Sequence, residues 1–542
     1  MAKKSTATKK PKKTTQKASK KKDKERDSKK SFEQTLWDTA DKLRGTVESS
    51  EYKHVVLSLI FLKFVSDRFN SRRQEIIDDG KAAYVDMVEF YTMKNVFYLP
   101  EDSRWATIAG QAKQDDIAVR IDSALHDVEK NNPSLKGALP DNYFSRMGID
   151  VAKLAALIDS INNIDTIADS EEDVVGRVYE YFLGKFAATE GKGGGEFYTP
   201  KCVVNLIAEM IEPYSGKIYD PCCGSGGMFV QSVKFVTSHS GNQKDISIYG
   251  QEQTSTTYKL AKMNLAIRGI SGNLGEVPAD TFFKDQHPDL KADYIMANPP
   301  FNLKAWRGPD ELTDDPRWSG YEVPPAGNAN YGWILHMVSK LSENGVAGFV
   351  LANGSMSTST SGEGAIRKKI IENDLVDCMI ALPGQLFYTT QIPVCLWFLT
   401  KSKKARKVKG HPELNQRARI RETLFIDARN HGTMVDRTHK ELTEADIAEI
   451  ARTYHAWRGE AKDGDYVDKP GFCKSSTLAE IQANDHVLTP GRYVGAAAIE
   501  DDGIPFETKM TDLTTTLYQQ MEEAKKLDKA IQKNLEALGY GK

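Results

Sequence analysis

The stretch Lys217–Gly227, KIYDPCCGSGG, decides the fold class, because it joins a short apolar strand to a glycine-rich turn. Glycine has no Cβ, so such a turn lets the backbone approach a ligand closely and directs its amide groups at it. A dinucleotide-binding fingerprint would add a third glycine three residues after Gly226, but Phe229 occupies that position. The pattern therefore disfavours nicotinamide and flavin cofactors, and taken alone it also suits a turn that serves packing only.

Short apolar runs alternate with amphipathic stretches around and after this turn. The strand candidates are Lys217–Asp220, Ile246–Gly250, Tyr294–Ala297, Val346–Leu351, Val376–Leu382 and Val394–Thr400. The helix candidates are Met228–Phe235, Thr256–Arg268, Trp333–Ser342 and Ala365–Asn373. This alternation predicts βαβ units and an α/β fold with a parallel, Rossmann-like doubly wound sheet. Because ligands of such sheets bind beyond the carboxyl ends of the strands, we expect functional side chains directly after them.

Changes in composition divide the chain into five segments. Before the glycine-rich stretch Gly191–Gly195, apolar residues recur at the spacing of helices. After about residue 405 the sequence is mixed and polar. We predict a disordered basic tail at 1–30, an N-terminal helical domain at 31–190, the α/β domain at 191–404, a mixed extension of that domain at 405–509, and a C-terminal amphipathic helix at 510–542.

The predicted C-terminal helix, Met510–Leu538, carries apolar residues at spacings of three and four, close to a heptad repeat. A helix with one apolar stripe must bury that stripe against a partner. The partner is either the chain's own domain or a helix of another subunit, and the sequence leaves both open.

The charge is strongly uneven along the chain. In residues 1–30, 13 lysines and Arg26 outweigh Asp23, Glu25 and Asp27, which gives this segment a net charge of +11. Because the whole chain has a net charge of −2, residues 31–542 carry −13. A segment so poor in apolar residues cannot build a core, and we expect it to be disordered. It is either an arm that binds nucleic acid through phosphate contacts or a solvating tail without a further role.

The cysteines and the apolar runs exclude several classes of protein. The six cysteines form no C-x-x-C pair, which disfavours a disulfide framework or a structural metal site, and we expect no metal and a reducing, cytoplasmic setting. The longest apolar run, Val55–Val65, is half the length of a membrane span and contains Lys63, so it predicts a buried helix. The N-terminus lacks the apolar segment of a secretory signal.

The motif Asn298–Phe301, NPPF, follows the strand candidate Tyr294–Ala297 and carries the most specific chemistry. Two prolines fix the backbone, so the Asn298 side chain and the Pro299 carbonyl are held as two acceptors for one –NH₂ group. An exocyclic amine on an aromatic ring is a poor nucleophile, because its lone pair is delocalised, and two acceptors help to localise that pair. The Phe301 ring is placed to stack on the same heterocycle.

Two acidic residues follow other predicted strands. Glu252 comes directly after Ile246–Gly250, where an acid can accept hydrogen bonds from ribose hydroxyls. Asp280 lies after the presumed third strand and could accept from an adenine amine. Either residue taken singly also fits an ordinary surface acid.

Taken in order, GEFYTP (Gly195–Pro200), DPCCGSGG, Glu252, Asp280 and NPPF resemble the motifs of amino-methyltransferases. More closely, the chain resembles the modification subunit of type I restriction–modification systems, over about residues 31 to 400. The resemblance implies S-adenosylmethionine as cofactor and the N6 amine of adenine, flipped out of double-stranded DNA, as methyl acceptor.

The resemblance also assigns site residues. It places Glu196, Phe197, Tyr198, Thr199, Pro200 and Lys201 at the methionine end of the cofactor. It places Asp220, Gly224, Ser225, Gly226 and Gly227 along the cofactor, Glu252 at the ribose and Asp280 at the cofactor's adenine. Asn298, Pro299 and Phe301 would hold the target base, and Phe387 or Tyr388 would stack on its other face.

The sequence contains no segment after Phe301 that resembles a target-recognition domain, which agrees with a separate specificity subunit in the related systems. The resemblance implies two copies of this chain per specificity subunit and leaves open whether a nuclease subunit joins. Two alternatives stay open from the residues. Cytosine-N4 methyltransferases share the chemistry, usually with serine at the position of Asn298, and a non-catalytic scaffold could bind DNA and cofactor.

Overall fold

The computed structural model describes residues 37–38, 41, 49–163, 181–182, 199–239, 241–387, 392–407, 412–496 and 506–538. The predicted basic tail, Gly191–Gly195, Glu196, Phe197, Tyr198 and Tyr388 lie outside the described residues. Contacts divide the chain into two compact units, the first ending at Val494 and the second beginning at Gly495.

Helices form the N-terminal part of the first unit, as predicted. They are α1 (Ser49–Asp78), α2 (Glu89–Thr92), α3 (Trp105–Gly110), α4 (Ile117–Asn131), α5 (Tyr143–Arg146) and α6 (Val151–Asn162). The run Val55–Val65 lies in α1 and is buried, and Lys63 forms an ion pair with Asp67 one turn later. Across the described ranges, no helix combines the length and the apolarity that a bilayer span requires.

A nine-stranded sheet forms the centre of the first unit, in the order β11-β8-β6-β7-β5-β4-β1-β2-β3. Its strands are β1 (Gly216–Asp220), β2 (Ile246–Gly250), β3 (Gly272–Asn273), β4 (Ala292–Ala297), β5 (Leu341–Ala352), β6 (Val376–Ala381), β7 (Val394–Thr400), β8 (Glu422–Asp427) and β11 (Cys473–Thr477). A small hairpin adds β9 (Thr433–Met434) and β10 (Lys440–Glu441). The predicted α/β fold class is confirmed.

The sheet differs from the prediction in one respect, because it is not wholly parallel. Strand β7 runs antiparallel to both of its neighbours, β5 and β6, and β11 runs antiparallel to β8. A parallel pair needs a crossover connection, usually a helix, whereas the described residues between β6 and β7 contain none. The chain therefore returns beside β6 in the opposite direction.

Helices cover both faces of the sheet. They are α7 (Lys201–Ile211), α8 (Gly227–Ser238), α9 (Ser255–Ile267), α10 (Asn330–Lys340), α11 (Glu363–Glu372), α12 (Glu444–Arg458) and α13 (Leu478–Ala483). Alternate residues of β5 enter different cores: Val350 packs with α7, α8 and α12, whereas Phe349 packs with α10 and α11. This alternation is the pattern of a sheet buried on both faces.

Helix α9 belongs to two hydrophobic cores at once. Leu260 and Met263 pack in the core of the N-terminal helices, whereas Ala261 and Leu265 pack in the core beneath the sheet. The buried Asn264 lies between these two sets and donates its Nδ2 to the Ser225 carbonyl over 2.7 Å. The N-terminal helices are therefore joined to the glycine-rich turn through one helix.

The second unit contains the predicted C-terminal helix as α14, Phe506–Ala537. Its large apolar side chains are exposed: Met510, Leu513, Leu517, Met521, Leu527, Ile531, Leu535 and the adjoining Leu538.

A buried ion pair ties the extension to the sheet. The Arg419 guanidinium donates to both oxygens of Asp377 on β6, over 2.8 Å and 3.1 Å, and the Tyr454 hydroxyl on α12 donates to the same carboxylate over 2.7 Å. Burial alone would raise the pKa of Asp377, but the Arg419 charge holds it below its ordinary value. The pair is 1% and 0% exposed, so removal of one partner would leave an uncompensated charge in the core.

We therefore expect Arg419→Met to lower the free energy of unfolding by about 3–5 kcal/mol, because Asp377 then stays buried without its cation. The matched control is Arg120→Met, which removes an exposed ion pair with Asp116 and should leave the unfolding midpoint unchanged. Thermal and urea unfolding of both variants measure the difference. Equal midpoints for the two variants would contradict the assigned role of the buried pair.

Candidate active site

The glycine-rich turn connects β1 to α8. Gly224 and Gly226 have φ values of +54° and +81°, a left-handed region in which glycine avoids the strain that a Cβ brings. A Cβ on Gly226 would lie 3.7 Å from Leu265, whereas a Cβ on Gly224 or Gly227 would meet nothing within 4 Å. Packing therefore does not explain Gly227, and the open space beside the first turn of α8 can admit a ligand.

The acid predicted after the second strand contacts this turn directly. Glu252 accepts from the Gly224 amide at Oε2 over 3.1 Å and from the Thr254 amide at Oε1 over 2.7 Å. Parallel pairing of β1 with β2, Asp220 opposite Gly250, brings the two segments to one edge. The backbone carbonyl of Glu252 accepts from the Ala279 amide over 2.9 Å, which places the segment with Asp280 beside it.

Asp220, the last residue of β1, is buried below this turn with 2% of its surface exposed. Burial raises the pKa of Asp220 to about 7; the Cys222 amide opposes the rise, and the charge of Glu252 adds to it. Its Oδ1 accepts from that amide over 3.0 Å. Carboxylates with a strongly raised pKa in a cleft are frequent at functional sites.

The loop that contains Asp280 is anchored by residues that the sequence analysis did not single out. Asp280 accepts from the Phe282 amide over 2.8 Å, and the Thr281 hydroxyl donates to the Pro221 carbonyl over 2.5 Å. The Arg317 guanidinium donates to the carbonyls of Thr281 and Phe282, over 3.1 Å and 2.6 Å. Arg317 lies in a 3-10 helix of three residues, Pro316–Trp318, which is too short to give a periodic signal in the sequence.

Asn298 directly follows β4, which pairs in parallel with β1, so it lies at the same edge as the glycine-rich turn. Its Nδ2 donates to the Thr199 Oγ1 over 2.9 Å. Its Oδ1 is buried and has no hydrogen-bond partner within the described part of the chain. Buried acceptors normally have a partner, so this atom is poised to accept from a ligand.

Two aromatic rings, one of them in the NPPF segment, lie close together at this edge. The centroids of Phe301 and Phe387 lie 5.8 Å apart, and their planes are inclined by 73°. Phe387 is buried, with 3% of its surface exposed. A base held between two parallel rings would require a different orientation of one of them, so the structure brings the rings together without forming a sandwich.

The segment before α7 is described only from Thr199. Pro200 is buried at the start of α7, and Lys201, its first residue, is exposed. The structure thus places Thr199 beside Asn298, and its position at the methionine end of the cofactor stays a prediction.

Among the residues that the structure describes, one cluster has the geometry of a metal site, namely the buried side chains of Glu212, His455 and Glu460. Arg458 forms ion pairs with both acids, and Lys462 forms one with Glu212. Burial alone would raise the pKa of Glu460, but the Arg458 charge lowers it well below its ordinary value. The cations already neutralise the acids, so the cluster is a buried charge network.

Comparison with known proteins agrees with this geometry. Residues 170–502 match the family model described as N-6 DNA Methylase, and residues 32–161 match the model described as HsdM N-terminal domain. The match to an N-6 family favours adenine over the cytosine-N4 alternative.

Individual relatives cover most of the chain. The type I restriction enzyme HindI methylase subunit of Haemophilus influenzae is 48% identical over 463 residues, which are 82% of this chain and 100% of that protein. The MjaIX methylase subunit of Methanocaldococcus jannaschii is 40% identical over 94% of this chain and 92% of its own length.

Among solved structures, a type I restriction–modification methyltransferase subunit from Streptococcus thermophilus has the same fold, with a TM-score of 0.69 and 24% identity over 85% of this chain and 99% of that one. The predicted resemblance is confirmed. The chain therefore belongs to the N-6 DNA methylase family and is a methylase subunit of the type I restriction–modification class.

Proposed function

We propose that the chain uses S-adenosylmethionine to methylate the N6 amine of an adenine that is flipped out of double-stranded DNA, and that Asn298 holds this amine. The observation that supports this assignment most strongly is the buried Asn298 Oδ1, which has no partner in the described residues. An acceptor in that position matches an –NH₂ group that approaches from outside the sheet edge.

The residues around the glycine-rich turn fit the proposed cofactor. The open space at Gly224 and Gly227 leaves room for close approach to the backbone, and Glu252 and Asp280 lie beside that space. S-adenosylmethionine would supply a methyl group that is already activated by the positive charge on its sulfur. The chain's own task is then to bind and orient the amine, and no strong base is required.

Asn298 and Pro299 perform this orientation. Hydrogen bonds from the two amine protons to Asn298 Oδ1 and the Pro299 carbonyl would draw the nitrogen towards a tetrahedral shape and localise its lone pair. The Thr199 hydroxyl accepts from Nδ2, which fixes the plane of the amide while Oδ1 stays available. Thr199 is thus a positioning residue, and Asn298 is the catalytic residue.

The target base must leave the duplex, because its amine is paired and stacked in B-form DNA. Stacking on the Phe301 ring would contribute about 1–3 kcal/mol to its capture. Phe387 would supply a second ring if it turns from its edge-on contact with Phe301.

Sequence recognition would come from a separate specificity subunit that binds two copies of this chain. The exposed apolar side chains of α14 offer a surface for helices of that subunit, since apolar stripes of such length are rarely left bare. Phosphate contacts by this chain alone would position DNA without specifying a sequence.

Asn298→Ala should reduce methyl transfer by about 100-fold or more, as loss of a single transition-state contact does in other enzymes. Its affinity for S-adenosylmethionine should stay within about twofold of the natural chain, because Asn298 faces the target amine. Incorporation of labelled methyl groups and calorimetric binding measure the two effects, with exposed Asn163→Ala as the matched control. Retained turnover, or an equal loss of cofactor affinity, would refute the assignment.

Thr199→Val keeps the shape of the side chain and removes the acceptor for Asn298 Nδ2. We expect kcat to fall about tenfold, which corresponds to the loss of one hydrogen bond, while the cofactor dissociation constant stays the same. Thr199→Ser keeps the hydroxyl and should restore turnover. A selective rise in the cofactor dissociation constant would instead place Thr199 at the cofactor, as the resemblance implies.

Removal of residues 495–542 should abolish assembly with the specificity subunit and leave cofactor binding intact, because the second compact unit carries the exposed apolar stripe. Size-exclusion chromatography with light scattering gives the stoichiometry, with the full chain as reference. A truncated chain that still assembles would show that the partner binds elsewhere.

A further inference from the structure

We propose that the β9–β10 hairpin, residues 432–441, inserts its apolar tip into DNA beside the extruded base. The inference rests on the proposed function, since it takes the pocket at Asn298 and Phe301 as the place of the target base. No role for this hairpin follows from the motifs that define the cofactor and the target site.

The hairpin lies next to the segment after β6, which carries Phe387, the proposed second stacking ring. β8 pairs in parallel with β6, Ala381 opposite Asp427, so the segments after both strands leave the same edge of the sheet. The Lys440 amide on β10 donates to the Gln385 carbonyl over 3.0 Å, two residues before Phe387. Met434 pairs with Lys440 across the hairpin, so the Met434 backbone lies about 5 Å from the Lys440 backbone that contacts Gln385.

The hairpin is held at its base and shaped at its tip. At the base, Gly432 donates its amide to Asp446 on α12 over 3.2 Å, and the following Leu442 is buried. At the tip, Asp436 Oδ1 accepts from the amides of Thr438 and His439, over 2.7 Å and 2.8 Å. The turn is therefore held in shape by its own hydrogen bonds before any DNA binds, and an element that inserts into DNA needs such a fixed shape.

The hairpin exposes two consecutive apolar side chains where β9 passes into the turn, Met434 at 48% and Val435 at 54%. Single exposed apolar residues are ordinary on protein surfaces. Here two adjacent ones stand on an anchored hairpin, and the cationic and exposed Arg437 follows them after Asp436, whose carboxylate is bound by the turn amides. Apolar wedges next to a cationic side chain suit DNA, because the wedge enters between base pairs while the cation meets a phosphate.

DNA is favoured over a protein partner by the location. Extrusion of the target base leaves a gap in the stack, and this gap must lie close to the pocket that receives the base. Met434 is placed beside the loop that bears Phe387, so it can fill that gap and delay return of the base.

The test uses the double variant Met434→Ser/Val435→Ser in the assembled complex with its specificity subunit. The matched control is Ile420→Ser, which replaces an equally exposed apolar residue (56%) at the opposite, amino end of β8. Substrates are a duplex with the target adenine paired and one with it mispaired, and a 2-aminopurine duplex reports extrusion by its fluorescence. Unfolding midpoints confirm that both variants are folded.

We expect kcat/KM on the paired duplex to fall about tenfold for the double variant, with cofactor affinity unchanged and weaker 2-aminopurine fluorescence. The mispaired duplex should recover most of the loss, because a mispaired base leaves the stack more easily. The control should match the natural chain on both duplexes.

An unchanged kcat/KM on the paired duplex, or an equal loss on paired and mispaired duplexes, overturns the proposal. Loss of assembly with the specificity subunit overturns it too, since the hairpin would then be a protein contact. Failure of the proposed function is distinguishable, because it would appear as retained turnover in Asn298→Ala, whereas the hairpin is judged by the fluorescence and mispair results.

Discussion

The parallel pairing of β1 with β2 and β4 is the constraint on which the candidate site depends. It brings the carboxyl ends of three strands to one edge, so that Gly224, Glu252 and Asn298 lie near one another although they are distant in sequence. Each side chain then needs only local support, such as the Gly224–Glu252 hydrogen bond. A shift of one residue in this register would turn every side chain of the shifted strand to the other face of the sheet and displace the segment that follows it.

The spacing of apolar residues predicted the strands and helices well, because this spacing depends only on residues that are close in the sequence. The predicted Ile246–Gly250 and Val394–Thr400 coincide with β2 and β7. The direction of β7 was not predictable, since a wholly buried strand is apolar on both faces whichever way it runs. Motif order located the edge that carries Asn298, but its contact with Thr199 joins residues 99 positions apart, and no periodicity encodes such a contact.

The residues that hold the site in place are drawn from several segments. Arg317 fixes the loop after Asp280, Asn264 holds the Ser225 carbonyl, and Arg419 binds the extension to β6. Because α9 contributes to two cores and Asn264 on it binds the Ser225 carbonyl, the N-terminal helices support the glycine-rich turn as well as their own packing. A separated N-terminal fragment would expose the apolar surface that α9 now covers.

The buried Asn298 Oδ1, which has no hydrogen-bond partner among the described residues, has a consequence for the stability of the fold. A buried acceptor without a donor costs about 1–3 kcal/mol, so the free protein is less stable than its packing would permit. An apolar side chain of similar volume at this position would relieve that cost and remove the amide to which we assign the target amine. On the proposed mechanism stability and activity are therefore opposed at a single atom, and selection for heat resistance alone would tend to lower methyl transfer.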